Sequence, residues 1–429
     1  MPAADRTTGR APSRGGRLLI MVRVVAIADS DSYLKWSAAT LEAIPAGWQT
    51  EQWLVRNPIA PSSDQVRAAT GRRVRMISVT GVAVALAVDP PDVLLLAATG
   101  PVVQTLLSLP LVRRTGRPVL VTGLPGISIP ATERAVQFRS GCDVFILHSH
   151  REVTEFSTVA AKLGVRMTFG LATLPFIKQV RRDTAKITSG EDHEGGRQRT
   201  EKIVFAAQAK FPEELADRQR VLRAFVALPP QRKVVIKLRA MPGEQQTHRE
   251  RWPYPELWDE LVTTEGFDHG LIRFAAGSMT DVLDQADGLV TVSSTAALEA
   301  IGIGVPVLII NDFGVSAELV NEVFIGSGCL GSLNDLATST LHKPEPDWLE
   351  RNYFHDPVDD DWLTTIEEAL RLRAGSGLPT AVVTPVDGRF RQVRRGLRLV
   401  MPRPVLFVTG RIGWAAKRVR RRPGIDAQQ

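Results

Sequence analysis

The chain has 429 residues, 44% hydrophobic and 23% charged, which is enough to bury two cores of ordinary size. Its two cysteines, Cys142 and Cys329, exclude a disulfide framework or a thiolate cluster, and no Cys/His grouping has zinc spacing; a reduced, cytoplasmic protein with neither metal nor cofactor is expected. The net charge of +7 is concentrated at one end: residues 389–429 hold twelve Lys/Arg and one acid, Asp426, while the other 388 residues carry 41 bases against 45 acids, and without a basic motif interleaved with aromatics no specific nucleic-acid partner is expected.

Residues 1–20 are rich in Arg, Gly and Pro and lack the apolar stretch of a secretory signal, so they read as a disordered extension or a mis-assigned start. Residues 21–180 alternate strand-like and helix-like runs: Val22 to Ala28 then Tyr33 to Ile44; Asp92 to Ala97 then Val102 to Leu109; Pro118 to Val121, a Gly/Pro loop, then Thr132 to Ser140; Asp143 to Leu147 then Arg151 to Leu163. Repeated βα units with short connections build a parallel sheet covered by helices on both faces. Asp29 and Asp31 in "IADSDSYLKW" fall at the end of the first strand, facing a cleft if the domain is doubly wound; Asp29 is the freer to act as a base, and Asp31 or Ser32 suits the cap of the next helix. The loop "TGLPGISIP", with Gly123 and Gly126, has the rigidity and bare backbone of a cleft lining. "FILHSHREVTEF" ends another strand with His148 and His150, two further base candidates, while Glu152 belongs to the following helix's first turn. Arg139 contacts a substrate or pairs with an acid.

Residues 181–200 are almost without apolar side chains and read as a linker. A second βα series follows over residues 201–375: Lys202 to Ala206, Glu213 to Leu228, Lys233 to Leu238, Leu271 to Ala275, Thr280 to Ala286, and a closing helix Asp361 to Arg373. Within it, "DGLVTVSSTAALEAIGIGVPVLII" sets Ser293, Ser294 and Thr295 between a buried strand and a helix beginning near Ala296. A cap needs one hydroxyl, and the edge of a parallel sheet before a helix N-terminus is where phosphates bind. Glu299 falls about one turn further along, within reach of a ribose. Lys210 and Lys237 follow strands at the same edge. The fold class expected is α/β, two doubly wound Rossmann-like domains facing a central cleft.

The run "SSTAALEAIGIGVPVLI" resembles the donor segment of GT-B glycosyltransferases and of nucleotide-sugar epimerases such as UDP-GlcNAc 2-epimerase, with Glu299, Ala300, Gly304, Pro306 and Val307 in matching order. "VVIKLRAMPG" and the double serine are similar to elements of polysialyltransferases and teichoic-acid polymerases, although Arg239 and Ala240 stand where those families have His-Pro. The N-terminal half resembles an actinobacterial group of glycosyltransferases with no assigned substrate. The resemblance implies that Ser293, Ser294 and Thr295 hold donor phosphates, that Glu299 holds the ribose, and that Lys237 and Lys210 add phosphate contacts. It implies a nucleotide-sugar donor and a glycan or lipid-linked acceptor of the cell envelope, met by Asp31, Gly123, Gly126 and Arg139, with Asp29, His148 or His150 as catalytic base. An Asp-x-Asp can hold a metal in the other glycosyltransferase fold, but on strand one Asp29-x-Asp31 stands away from the donor, so transfer independent of metal is expected. The alternatives are a 2-epimerase-like isomerase and a non-catalytic nucleotide-sugar-binding protein. Residues 376–429 form a basic tail that mixes arginines with Leu397, Val405, Leu406, Phe407 and Trp414. Such a mixture suits an anionic membrane surface, and attachment to the inner face of the plasma membrane is expected, the alternative being a solvated, disordered basic end.

Overall fold

Val24 to Ala28 is apolar on both faces, and a strand of that kind persists only where helices cover both sides of its sheet. It becomes the centre of the first lobe. The computed structural model describes residues 21–56, 66–67, 70, 74–177, 201–238, 250–384 and 386. The extension 1–20, the linker 181–200, Arg239, Ala240 and the basic segment from residue 387 onward lie outside the described residues, and every site candidate lies within them.

The first lobe holds β1 (Arg23–Ala28), α1 (Asp31–Glu42), β2 (Gln49–Val55), β3 (Arg75–Ile77), α2 (Val79–Val88), β4 (Val93–Ala97), α3 (Gly100–Leu107), α4 (Pro110–Arg113), β5 (Val119–Gly123), α5 (Glu133–Arg139), β6 (Val144–Leu147), α6 (His150–Lys162) and β7 (Thr168–Leu171). The strands lie in the order β3-β2-β1-β4-β5-β6-β7. Adjacent strands pair in parallel, with Val24 opposite Thr50 on one side and Val93 on the other. Leu34 and Trp36 of α1 cover one face, and Val82, Leu86, Val103 and Leu106 of α2 and α3 cover the other.

The second lobe repeats the plan with β8 (Lys202–Ala206), α7 (Leu215–Val226), β9 (Lys233–Lys237), α8 (Tyr254–Glu265), β10 (Ile272–Ala275), α9 (Met279–Leu283), β11 (Ala286–Thr291), α10 (Ala296–Gly302), β12 (Val307–Ile310), β13 (Leu330–Gly331), α11 (Leu333–Ala337) and α12 (Pro346–Arg351). Its order is β10-β9-β8-β11-β12-β13, again parallel throughout. These are the two doubly wound Rossmann-like sheets expected from the sequence.

One expectation is corrected. The closing helix α13 (Trp362–Gly375), assigned by sequence order to the second lobe, packs on the first: Trp362, Ile366 and Ala369 join the cluster of Val119, Val121 and Val144. Burial of each large apolar side chain stabilises by about 1.5–3 kcal/mol, and the first sheet is the one with that face uncovered. Gly170 in β7 makes the approach possible, because a Cβ there would lie 2.7 Å from Trp362 Cα. Arg373 then donates to the Arg117 carbonyl and to Asp92. Residues 376–384, expected to begin the tail, continue along the same lobe, where Ala381 is buried and Thr384 N–H donates to Ser140.

The lobes share apolar contacts as well as two chain crossings. Ile129, Leu174 and Ile177 of the first lobe are buried in the second lobe's core with Phe324, Trp348 and Tyr353. Among the described residues, no helix is long and apolar enough to cross a membrane.

Candidate functional site

In a doubly wound sheet the crevice for a ligand opens at the carboxyl edge, where the strand order reverses. The first sheet reverses between β1 and β4 and the second between β8 and β11. Both edges are closed by a polar tie. After β1, the Asp29 carboxylate accepts from the Thr99 N–H at 2.9 Å and from the Thr99 hydroxyl, just past β4. After β8, Gln208 accepts from the Ser293 N–H at 3.0 Å and donates to the Ser293 hydroxyl at 2.9 Å, just past β11.

On the second lobe the three hydroxyls have separate surroundings. Ser293 is buried and held by Gln208. Ser294 is half-buried; its N–H donates to the Thr291 hydroxyl at 3.2 Å and its own Oγ accepts from Ala296 N–H at 3.2 Å, so it caps α10. Thr295 is exposed. Glu299, half-buried one turn into α10, has its carboxyl raised above the ordinary range by burial, with the Lys237 charge opposing that rise. Lys237 ends β9 and donates to the Leu238 carbonyl at 2.7 Å. Lys210 is exposed on the loop after β8. That loop is fixed from beneath by Arg218, buried in α7, which donates to the carbonyls of Gln208, Ala209 and Pro212 at 3.0, 2.9 and 2.8 Å and pairs with Glu250. Gln208 and Arg218 were not read from the sequence. The signal for Gln208 was positional, since it follows the first strand of its lobe much as Asp29 does.

The loop after β5 reaches this edge from the first lobe. A Cβ at Gly126 would sit 3.8 Å from Thr295 Cγ2, so the Gly/Pro loop and the double-serine turn face each other at contact distance.

Several first-lobe candidates have structural duties instead. Asp29 is fully buried and its bonds to Thr99 tie β1 to β4; burial raises its carboxyl above the usual range. In this structure Asp29 closes the sheet edge between β1 and β4. His148 is also buried: Nε2 accepts from the Trp36 indole N–H at 2.8 Å, and Nδ1 donates to the Ala172 carbonyl at 2.8 Å. Both nitrogens are engaged and burial lowers its pKa to about 4, so His148 is a neutral clamp between α1 and β7, not a base. Gly123 serves that clamp, because a Cβ there would be 2.2 Å from the Trp36 ring. Arg139 is buried and donates to the Tyr33 hydroxyl at 2.9 Å and the Ala98 carbonyl at 3.2 Å, so it meets the protein and not an acceptor. Asp31 is partly exposed in the first turn of α1, paired with Lys35 at 2.8 Å, and the cap position belongs to Ser30. Asp29 and Asp31 thus have different partners, Thr99 and Lys35. His150 opens α6, half-buried, with Nε2 3.4 Å from Asp359 of the returning chain.

Glu152 has a larger part than a helix first turn suggests. Fully buried, it accepts from His148 N–H at 2.8 Å, Ser128 N–H at 3.0 Å and the Tyr353 hydroxyl at 2.6 Å. It therefore fixes the Gly/Pro loop, the strand end before α6 and a second-lobe tyrosine to one another. Burial is the dominant influence and pushes its pKa up to about 7, while those hydrogen bonds oppose the rise.

Comparisons with known proteins agree with this architecture. Among solved structures, the "putative UDP-N-acetylglucosamine 2-epimerase" of Listeria monocytogenes is similar with a TM-score of 0.52 and 15% identity, covering 86% of this chain and 99% of its own. The Staphylococcus aureus MnaA structure with UDP has a TM-score of 0.50 at 10% identity, covering 82% and 96%. The Neisseria meningitidis UDP-GlcNAc 2-epimerase bound to UDP-GlcNAc also scores 0.50, at 11% identity, covering 82% and 100%. At these identities the likeness is one of fold. No curated protein matches the chain in sequence. A family model does match, over residues 24–369, from β1 into α13 and so across both lobes and both crossings. On that span the chain belongs to the family described as "Putative glycosyltransferase (DUF6716)".

Proposed function

We propose that the protein transfers a sugar from a nucleotide-activated donor to a glycan or lipid-linked acceptor of the cell envelope. The observation that carries this reading is the nearness of Gly126 to Thr295, where a Cβ on Gly126 would come to 3.8 Å from the Thr295 methyl: the serine-rich turn at the carboxyl edge of the second lobe and the bare backbone loop of the first approach each other. The donor diphosphate is held on the second lobe by Ser294, Thr295 and the turn that Ser293 anchors, with Lys237 and Lys210 as cations. Glu299 accepts from ribose hydroxyls. As the bond from the sugar's anomeric carbon to the diphosphate breaks, the diphosphate gathers negative charge, and fixed N–H groups and lysines stabilise it without a metal. The acceptor oxygen forms the new bond to the anomeric carbon and releases its proton to water. Gly126 and the half-exposed Asp31 are the acceptor-side residues retained. The basic tail holds the enzyme on an anionic inner membrane surface, near lipid-linked acceptors.

A thermal-shift screen against nucleotides and nucleotide sugars finds the donor, because a ligand of the native state raises the melting point. UDP sugars come first, since two of the fold neighbours named above hold UDP or UDP-GlcNAc. Ser294→Ala and Glu299→Ala should each weaken that ligand by about 1.5–3 kcal/mol, measured by calorimetry. Wild-type affinity in both variants would remove the site. Conversion of UDP-GlcNAc to its 2-epimer with no acceptor present would replace transfer by isomerisation, and binding without turnover or slow hydrolysis would leave a nucleotide-sugar-binding protein. Turnover should persist in EDTA.

A further inference from the structure

Where the chain returns from the second lobe to the first, residues 346–361 run past the start of α6. Three potential metal ligands converge there from distant parts of the sequence. His150 begins α6, Glu350 lies on α12, and Asp359 ends a short turn at Pro357–Asp359. One ligand atom from each lies within 4.8 Å of the others. The closest pair with a measured separation, His150 Nε2 and Asp359 Oδ2, is at 3.4 Å, beyond the usual range of a hydrogen bond. An imidazole nitrogen and two carboxylates thus gather without being consumed by a direct hydrogen bond between that pair.

A fourth side chain adjoins them. His355 is fully buried, and its ring packs edge-on against that of His150 with 5.3 Å between centroids. Its Nε2 lies 3.1 Å from Asp360 Oδ1, the oxygen that also accepts from Thr173 N–H and hydroxyl. A carboxylate accepts, so the Nε2 proton is fixed on that side and Nδ1 is left as a lone pair. Among the described residues that buried Nδ1 has no hydrogen-bond partner. Buried polar atoms are ordinarily satisfied, and an imidazole oriented by a carboxylate on one nitrogen is the arrangement that prepares the other for a metal.

We propose that His150, Glu350 and Asp359 bind a divalent cation of the zinc class at the crossing between the lobes, with the buried His355 ring packed against His150 beside them. Nitrogen beside two carboxylate oxygens suits zinc and its neighbours; calcium takes six to eight oxygens, and magnesium a near-octahedral set of oxygens and waters. The cation would join α6 of the first lobe to α12 of the second.

The test uses the full chain without a histidine tag, treated with EDTA and then freed of chelator. Zinc chloride is titrated by calorimetry while the melting point is followed. One saturable site with a rising melting point is expected, and magnesium should give neither. Glu350→Gln and Asp359→Asn, both at exposed positions, should each lower zinc affinity about 10-fold to 100-fold while the metal-free melting point stays near that of the wild type. Absence of saturable zinc binding, or unchanged affinity in both variants, would overturn the site. Because the readouts are zinc affinity and melting point, failure here is distinguishable from failure of donor binding.

Discussion

Glu152→Gln isolates one buried charge at the junction of the lobes. In the wild type the carboxyl is held at about 7 against an ordinary 4.5, a gap that corresponds to about 3 kcal/mol. The sign follows from proton binding. The folded protein holds this proton more tightly than the unfolded chain does, so the stabilisation is fully present below the ordinary carboxyl pKa and is lost as pH rises through about 7. Glutamine cannot ionise, and its oxygen can still accept from Ser128 N–H and the Tyr353 hydroxyl. Its amide nitrogen, however, then faces the His148 N–H, two donors in contact, at a cost of about 1–3 kcal/mol that does not change with pH. The assay is thermal or urea unfolding of both proteins from about pH 5 to about pH 8. Wild-type stability should fall relative to the variant by up to about 3 kcal/mol over that range, at most about 1.4 kcal/mol per pH step. Parallel pH profiles for the two proteins would refute the assignment, since a carboxylate that ionises as freely when folded as when unfolded contributes no slope.

Gly123→Ala puts a methyl group 2.2 Å from the Trp36 ring, and the overpacking should cost about 1–3 kcal/mol in urea unfolding while disturbing the Trp36 to His148 hydrogen bond, read as a change in tryptophan fluorescence. Arg218→Met leaves the Glu250 carboxylate and four carbonyls without their shared donor, so a loss of about 3–5 kcal/mol is expected, with weaker nucleotide binding in whatever remains folded because the Lys210 loop is no longer fixed. A chain ending at Gly388 should lose salt-sensitive recovery on anionic vesicles in flotation, each engaged base contributing about 1 kcal/mol; equal recovery of both chains would detach the tail from the membrane.

Local pattern carried the βα series and the two-lobe plan, and it failed where local pattern is weak. β2, "QTEQWLV", is polar and partly exposed over its first half, so it presents no apolar run. α2, "VTGVAVALAV", is apolar nearly all round and shows no period of 3.6 that would mark a helix. α13 was visible as a helix, but which sheet it covers is settled by an uncovered face more than 190 residues earlier in the chain and by the room at Gly170. Glu350 and Asp359 stand too far from His150 in sequence for any ligand spacing to suggest them.

Asp29 and His148 turn inward for one physical reason. Polar residues at the carboxyl ends of parallel strands read alike whether they meet a ligand or close the sheet edge, and both needs arise at the same reversal of strand order. Asp29 meets Thr99, and His148 meets Trp36 and Ala172, because those backbone and indole groups would otherwise be buried unpaired. The same demand falls on the second lobe, where Gln208 satisfies Ser293 and Ser294 caps α10. What separates the two edges is what remains after closure. On the second lobe Thr295 is exposed, Glu299 keeps a half-buried carboxyl beside Lys237, and Lys210 stands on a loop held rigid from below. The hydroxyl run is longer than a cap requires: one serine closes the edge, the next serves a first-turn N–H of the helix, and Thr295 is left exposed with its Cγ2 methyl toward Gly126 of the opposite lobe.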